Sequence, residues 1–221
     1  MPADNCRLFF ALRPDADTAR AIQHALDSML AAKGVRAGVI KPENRHLTLY
    51  FLGEFRQRPS ELIARVMSAA ERFRQAAFEF TLDRMVSFPG VRAPCVLLCS
   101  KASQRRVVRF RQELGKTWIA AASGERSERR FTPHVTVAYA RSVFPVPVRI
   151  APIRWRVTDF ALIHSAVGRS IHSILGRWPL RAQDNCKARE RACADANPAP
   201  VNVRAGESAR DTPRASTRFR A

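Results

Sequence analysis

Glycine is scarce in this chain of 221 residues: there are nine, none in a GxGxxG or GxxxxGK[ST] arrangement. That excludes the glycine loops with which nucleotide-binding folds bring bare backbone against a pyrophosphate. Cysteine is scarce as well. The five thiols show neither compact pairing nor zinc-ligand spacing, so a reducing compartment is expected, with no metal and no cofactor. Cys95 and Cys99 sit in an apolar run and read as buried thiols, whereas Cys186 and Cys193 lie in a polar stretch. No apolar run reaches the roughly 18 residues of a membrane-spanning helix. The first apolar piece, Leu8–Leu12, is short and has no basic leader, so no signal peptide is read and a cytoplasmic protein without a membrane partner is expected.

Acidic residues are the third shortage. Asp and Glu number 19 against 38 Lys and Arg, a formal net charge of +19. A positive surface raises the local concentration of phosphate-bearing ligands, which points to a polyanion partner. A plain solubility bias would give the same charge. Hydrophobic residues make up 46% of the chain, which suits a globular protein and excludes a wholly disordered one. From Ala182 onward the only Ile, Leu, Phe or Val residues are Val201, Val203 and Phe219. Residues 182–221 are therefore expected to be a disordered basic tail, since they cannot bury enough surface to offset chain ordering. Eight basic and five acidic residues lie there, leaving 30 and 14 in residues 1–181, a net charge of +16 on the folded part.

Within residues 1–181 strands and helices alternate. Arg7–Leu12 reads as a strand, with Pro14 and Asp15 closing it. Ile22, Leu26, Met29 and Leu30 recur at helical spacing over Thr18–Lys33, and Gly34 supplies the stop. His46–Leu52 is apolar and β-prone. A helix follows, with Ser60 as its N-cap after Pro59 and with Leu62, Ile63, Val66, Met67 and Ala70 facing inward. Phe78–Leu82 and Cys95–Cys99 read as short strands. Ser103–Ala122 reads as a basic amphipathic helix with Val107, Phe110, Leu114 and Trp118 inside. His134–Tyr139 is another strand, and Val157–His164 with Ile171–Leu180 close the fold as an antiparallel pair. The order is two copies of a strand–helix–strand plan. It predicts an α+β fold with two mostly antiparallel sheets.

One motif occurs twice. His46-Leu47-Thr48-Leu49 and His134-Val135-Thr136-Val137 are 88 residues apart, each inside an apolar β-prone run. On a strand, positions i and i+2 share a face. Each His therefore projects with its Thr, while Leu47, Leu49, Val135 and Val137 face the core. Burying such polar side chains unpaired costs about 1–3 kcal/mol each, so they need partners or a purpose. One neutral imidazole can take a proton from water and one protonated imidazole can give a proton to a leaving oxygen. Thr hydroxyls can donate to phosphate oxygens as charge develops. The set suits phosphodiester cleavage, and because the two copies are near-equivalent the residues alone assign neither role. Of the other histidines, His24 reads as exposed on a helix, and His164 and His172 read as structural members of the last strand pair.

The chain resembles the two-histidine (2H) phosphoesterases, in particular the LigT-like RNA 2′,3′-cyclic phosphodiesterases. The resemblance covers about residues 7–181. It rests on Arg7-Leu8-Phe9-Phe10-Ala11-Leu12, on His46-Leu47-Thr48-Leu49-Tyr50-Phe51-Leu52-Gly53 and on Phe131-Thr132-Pro133-His134-Val135-Thr136-Val137. The closing pattern Val157–Ser165 followed by Gly176-Arg177-Trp178 completes it. It implies a bilobal fold with pseudo-two-fold symmetry around a central cleft. It implies metal-independent hydrolysis of RNA 2′,3′-cyclic phosphate ends, as on tRNA fragments, to 2′-phosphomonoesters. His46 would be the proton donor, His134 the proton acceptor, and Thr48 and Thr136 the phosphate-binding residues. A monomer is expected. The family carries a basic residue about five positions after the second His; here that position is Tyr139, and Arg141 is the nearest basic residue beyond it. The same site on a 2′–5′ RNA ligase, a small-molecule cyclic phosphodiesterase or a non-catalytic RNA-binding module would be the rival readings.

Overall fold

Among the described residues, nine strands and three α-helices arise where the two apolar periods lead. The computed structural model describes residues 5–89, 94–119, 131–140, 146–169 and 171–182. In chain order the elements are β1 (Cys6–Leu12), α1 (Ala16–Lys33), β2 (Gly38–Val39), β3 (Leu47–Phe55), α2 (Ser60–Glu71), β4 (Phe78–Ser87) and β5 (Pro94–Cys99). They continue as α3 (Lys101–Ile119), β6 (His134–Tyr139), β7 (Val148–Val157), β8 (Asp159–Ala166) and β9 (Ile171–Pro179). The proposed tail beyond residue 182 lies outside the described residues. No helix among the described residues is long and apolar enough to cross a membrane.

Helix ends follow local chemistry. Asp15 caps α1 by accepting from the Thr18 amide at 2.7 Å. Gly34 closes α1 in the left-handed region at φ 61, where a Cβ is disfavoured. Ser60 is not the N-cap of α2. Pro59 holds that position, its carbonyl accepts from the Ile63 amide at 3.0 Å, and no side chain caps the helix. In α3 the cap is Ser100, whose hydroxyl accepts from the Ser103 amide at 3.2 Å, so the helix starts before the expected Ser103.

The strands run in the order β7-β4-β5-β6-β3-β1-β8-β9, and β2 also pairs with β6. Every pairing between these strands is antiparallel. The two expected sheets are the halves β9-β8-β1-β3 and β7-β4-β5-β6, joined into one ladder by a single pair, Leu47 with Val135. The join is narrow because β2 takes the rest of that β6 edge: Gly38 and Val39 pair with Tyr139 and Ala138, and the Ile40 amide donates to Val137 O at 2.9 Å. β7 was not anticipated. Its Pro152 interrupts the alternation, and the strand tolerates it as a sheet edge whose pairing with β4 shifts register there.

The helices pack on one face of the ladder. Leu8, Phe10, Leu12, Leu47, Leu49, Val135 and Val137 join Ile22, Leu26, Ile63, Val66, Val107, Phe110 and Leu114 in one continuous core. Each such side chain contributes about 1.5–3 kcal/mol on burial. Leu62 and Met67, expected inside, pack against that core only partly buried, while Ala69 is fully enclosed. Cys95 and Cys99 are buried free thiols, and burial pushes the Cys99 thiol up to about 12. The opposite face carries a separate small cluster of Phe9, Ala11, Ala161 and Ile163.

Candidate active site

The helix-free face is where both His-x-Thr motifs arrive. With Leu47 and Val135 directed into the core, strand alternation turns His46, Thr48, His134 and Thr136 the other way. The antiparallel direction of the Leu47–Val135 pair sets His46 on the side of Thr136 and Thr48 on the side of His134. All four side chains are half-buried. Neither threonine hydroxyl is engaged by another described residue, which leaves both free to meet a ligand.

The two copies share a further device. Thr48 pairs with Ala11 and Tyr50 with Phe10, so Leu49 is an extra residue in β3. Thr136 pairs with Val96 and Ala138 with Cys95, so Val137 is the extra residue in β6. Each motif therefore ends in a β-bulge, which bends the strand just past its threonine. A bulge leaves a backbone carbonyl without a ladder partner, and a buried one must be satisfied. Val137 O is taken by the Ile40 amide. Leu49 O is taken at 2.8 Å by Arg111 Nε from α3.

The imidazoles are oriented in the same way. His46 Nδ1 lies 2.7 Å from Asn44 O, and His134 Nδ1 lies 2.8 Å from Thr132 O, the carbonyl two residues back in each case. Nδ1–H donates there, which leaves Nε2 of each ring as the nitrogen available for proton transfer. Aromatic rings back both: Phe9 stacks on His46 at 4.7 Å between centroids, and Phe88 meets His134 edge-on at 5.1 Å. The approach to His46 is pinned by the buried Arg45, which donates to Ile40 O and to Gln23 Oε1 of α1.

His172 separates the two otherwise matching histidines. Its ring lies 5.3 Å from that of His46 and 5.8 Å from that of Phe9, both edge-on. The sequence read it as structural, because nothing local to β9 reports a neighbour on the loop before β3. Arg13 joins the same corner, donating to Glu43 O at 2.6 Å. Its charge acts on both His46 and His172. Burial first, then the positive groups His172, His134 and Arg13, hold His46 down at about 4, against a partial opposing pull from the Asn44 carbonyl. Burial and Arg13 lower His172 as well. His46 is thus neutral at neutral pH. Tyr139, which stands where the family carries a cation, is exposed at the end of β6, and Arg141 lies outside the described residues. Arg13 is the cation beside the motifs that local sequence gave no reason to choose. His24 is exposed, as expected.

The low His46 value has a measurable consequence. Activity of an acid–base pair fails at low pH when both imidazoles are protonated and no base remains, so the more acidic ring sets that limb. The acid limb of kcat/KM is expected near pH 4. His172→Phe keeps a ring against His46 but removes a like-charged neighbour, which raises the His46 value and moves the limb to higher pH. An unmoved limb in the pH profile would show that His172 has no electrostatic hold on His46.

Residues 14–169 match the family model described as the 2′-5′ RNA ligase superfamily. An RNA 2′,3′-cyclic phosphodiesterase of Escherichia coli is 31% identical over 177 residues, covering 79% of this chain and 96% of that protein. An RNA 2′,3′-cyclic phosphodiesterase of Thermus thermophilus is 27% identical over 188 residues, covering 80% of this chain and 91% of that protein. Among solved structures, the apo form of E. coli LigT is similar with a TM-score of 0.63 at 26% identity, covering 80% of this chain and 99% of that one.

Proposed function

Because the chain belongs to the 2′-5′ RNA ligase superfamily, we propose that its paired His-x-Thr face hydrolyses the 2′,3′-cyclic phosphate end of RNA to a 2′-phosphomonoester. The observation that carries this reading is the matched pair of imidazoles, each held by the carbonyl two residues back and each beside the other motif's threonine. Similarity to the cyclic phosphodiesterases over most of their length supports it.

Water attacks phosphorus opposite the 3′-oxygen. His134 Nε2 accepts the proton from water as the new P–O bond forms. His46 Nε2 donates a proton to the departing 3′-oxygen as the old bond breaks, and the products are a 2′-phosphate and a 3′-hydroxyl. Thr48 and Thr136 donate hydrogen bonds to the non-bridging oxygens, whose charge grows in the transition state. His46 is neutral in the free protein, so the ring must take up a proton from solvent as the substrate binds. An anionic phosphate beside the ring favours the imidazolium and offsets the repulsion from His172 and Arg13. Proton transfers between nitrogen and oxygen complete this scheme, and no metal takes part in it.

The same reading assigns the activity to residues 1–181 of a monomeric, cytoplasmic protein, with 182–221 as a dispensable tail. The test is turnover of an oligoribonucleotide ending in a 2′,3′-cyclic phosphate, with EDTA present, followed by separation of 2′- from 3′-phosphate products. Turnover to the 2′-phosphate is the expected result, and a joined 2′–5′ product would instead favour the ligase. Water outnumbers a second RNA end as nucleophile, which favours hydrolysis. Abolition by EDTA, or a 3′-phosphate product, would overturn the scheme.

A further inference from the structure

The register of the second half-sheet carries charge away from His134. His134 of β6 pairs with Leu98 of β5, Leu98 with Arg84 of β4, and Arg84 with Arg149 of β7. Paired residues on neighbouring strands share a face, so this row lies on the helix-free side. Strands about 4.8 Å apart put the Arg149 backbone about 14 Å from that of His134. Farther along β7, Ile153 faces the core opposite Leu82, which turns Arg154 onto the same side as Arg149.

Two observations make this row more than a solvated edge. Like charges directly opposite one another destabilise a sheet, yet Arg84 and Arg149 are paired. Arg84 is already engaged: Nε lies 2.9 Å from Asp83 Oδ1, and Nη2 donates to Cys99 O. Arg149 and Arg154 are exposed, and neither has a carboxylate within ion-pair distance among the described residues. The matching arm of the first half-sheet differs. Its Arg177 is paired with Asp159 at 3.0 Å, and its exposed side chains include the apolar Phe51 and Ile174. On the described strands, unpaired positive charge therefore runs outward from the site along the β7 arm, while Arg13 stays at the His46 corner itself.

We propose that Arg149 and Arg154 form a phosphate-binding track for the RNA strand on the 5′ side of the cyclic phosphate. The inference rests on the proposed activity. A terminal cyclic nucleotide seated on His46 and His134 does not extend to Arg149, whereas an oligonucleotide does. The partner is thus an RNA strand end rather than a free cyclic mononucleotide, with selectivity supplied by backbone charge and not by base identity.

The experiment compares the full-length protein with Arg149→Gln/Arg154→Gln on two substrates, a cyclic-phosphate-ended oligoribonucleotide and a cyclic mononucleotide. The double variant is expected to lose about tenfold or more in kcat/KM on the oligonucleotide, through KM, and nothing on the mononucleotide. The slope of log affinity against log salt should flatten by about 1.4, since each of the two lost single-strand phosphate contacts contributes about 0.7. Arg149→Lys/Arg154→Lys should restore most of the loss, because a point charge suffices for a phosphate. Equal loss on both substrates, or none on either, overturns the track. So does dimerisation of the variant without a change in KM, which would mark the arginines as edge protection. Anisotropy of a 3′-phosphate-ended oligoribonucleotide, read on the same proteins, reports the track independently. If wild type binds more tightly than the variant but turns over neither substrate, the track stands and the catalytic reading falls.

Discussion

His46→Ala and His134→Ala are each expected to lower kcat/KM on a cyclic-phosphate RNA end by about 10²–10⁴-fold, the range of a positioned general acid or base. The loss should appear in kcat, because neither ring supplies the bulk of RNA binding in the proposed scheme. The double variant should be little worse than the poorer single one, since the two protons move in one transition state and the residues act as a unit. Melting temperature should change little in His134→Ala and modestly in His46→Ala, which also loses the stack on Phe9. An aryl phosphodiester substrate separates the roles. Its leaving oxygen departs without a proton, so the variant lacking the acid recovers on that substrate while the variant lacking the base does not. Recovery of His46→Ala alone supports the donor assignment. Recovery of His134→Ala alone reverses it, and would place the ring held at about 4 in the role of base, where its neutral form is already present.

Much of this site was legible because its signal is local. A His and a Thr two apart on an apolar strand must share a face, and β6 runs over His134–Tyr139 as the alternation predicts. The repeat of the motif located the two central strands before any pairing was known. What escaped notice depends on register. The bulges at Leu49 and Val137 are defined only by the strands beside them. His172 lies 126 residues from His46 in the chain and reaches it because β9 pairs with β8, β8 with β1, and β1 carries Phe9, which touches both rings. Arg13 follows a strand and precedes Pro14, where an arginine reads as a solvated turn. β7 was obscured by Pro152, a residue that argues against a central strand and is permitted on an edge. At α2 the serine signal misled by one position, because Pro59 with its fixed φ can begin the helix before Ser60 offers a hydroxyl.

Arg111→Ala is expected to cost about 3 kcal/mol of stability and about 10²-fold in kcat, although Arg111 touches neither histidine. The residue is 7% exposed, and its guanidinium carbon lies 4.3 Å from the Tyr50 ring centroid and 4.4 Å from that of Phe131. Nε holds Leu49 O, and the Arg111 carbonyl in turn accepts from Tyr50 Oη at 2.9 Å. One side chain of α3 is thus clamped to the bulge that ends the first motif and to the phenylalanine that leads into the second. Removing it leaves the buried Leu49 carbonyl unsatisfied, at about 1–3 kcal/mol, and forfeits two cation–π contacts of about 0.5–2 kcal/mol each. The two motif strands share only the Leu47–Val135 pair, so little else fixes their separation. A shift of about 1 Å between catalytic groups can cost about 10²-fold, which is why kcat should fall with KM nearly unchanged. Arg111→Lys should recover little, because an ammonium cannot lie flat between two rings while donating from a fixed Nε. Thermal unfolding and kinetics on the same variant decide the matter. A stability loss without a fall in kcat, measured well below the melting temperature, would leave Arg111 a core residue and place the coupling of the two motifs in the bulges alone.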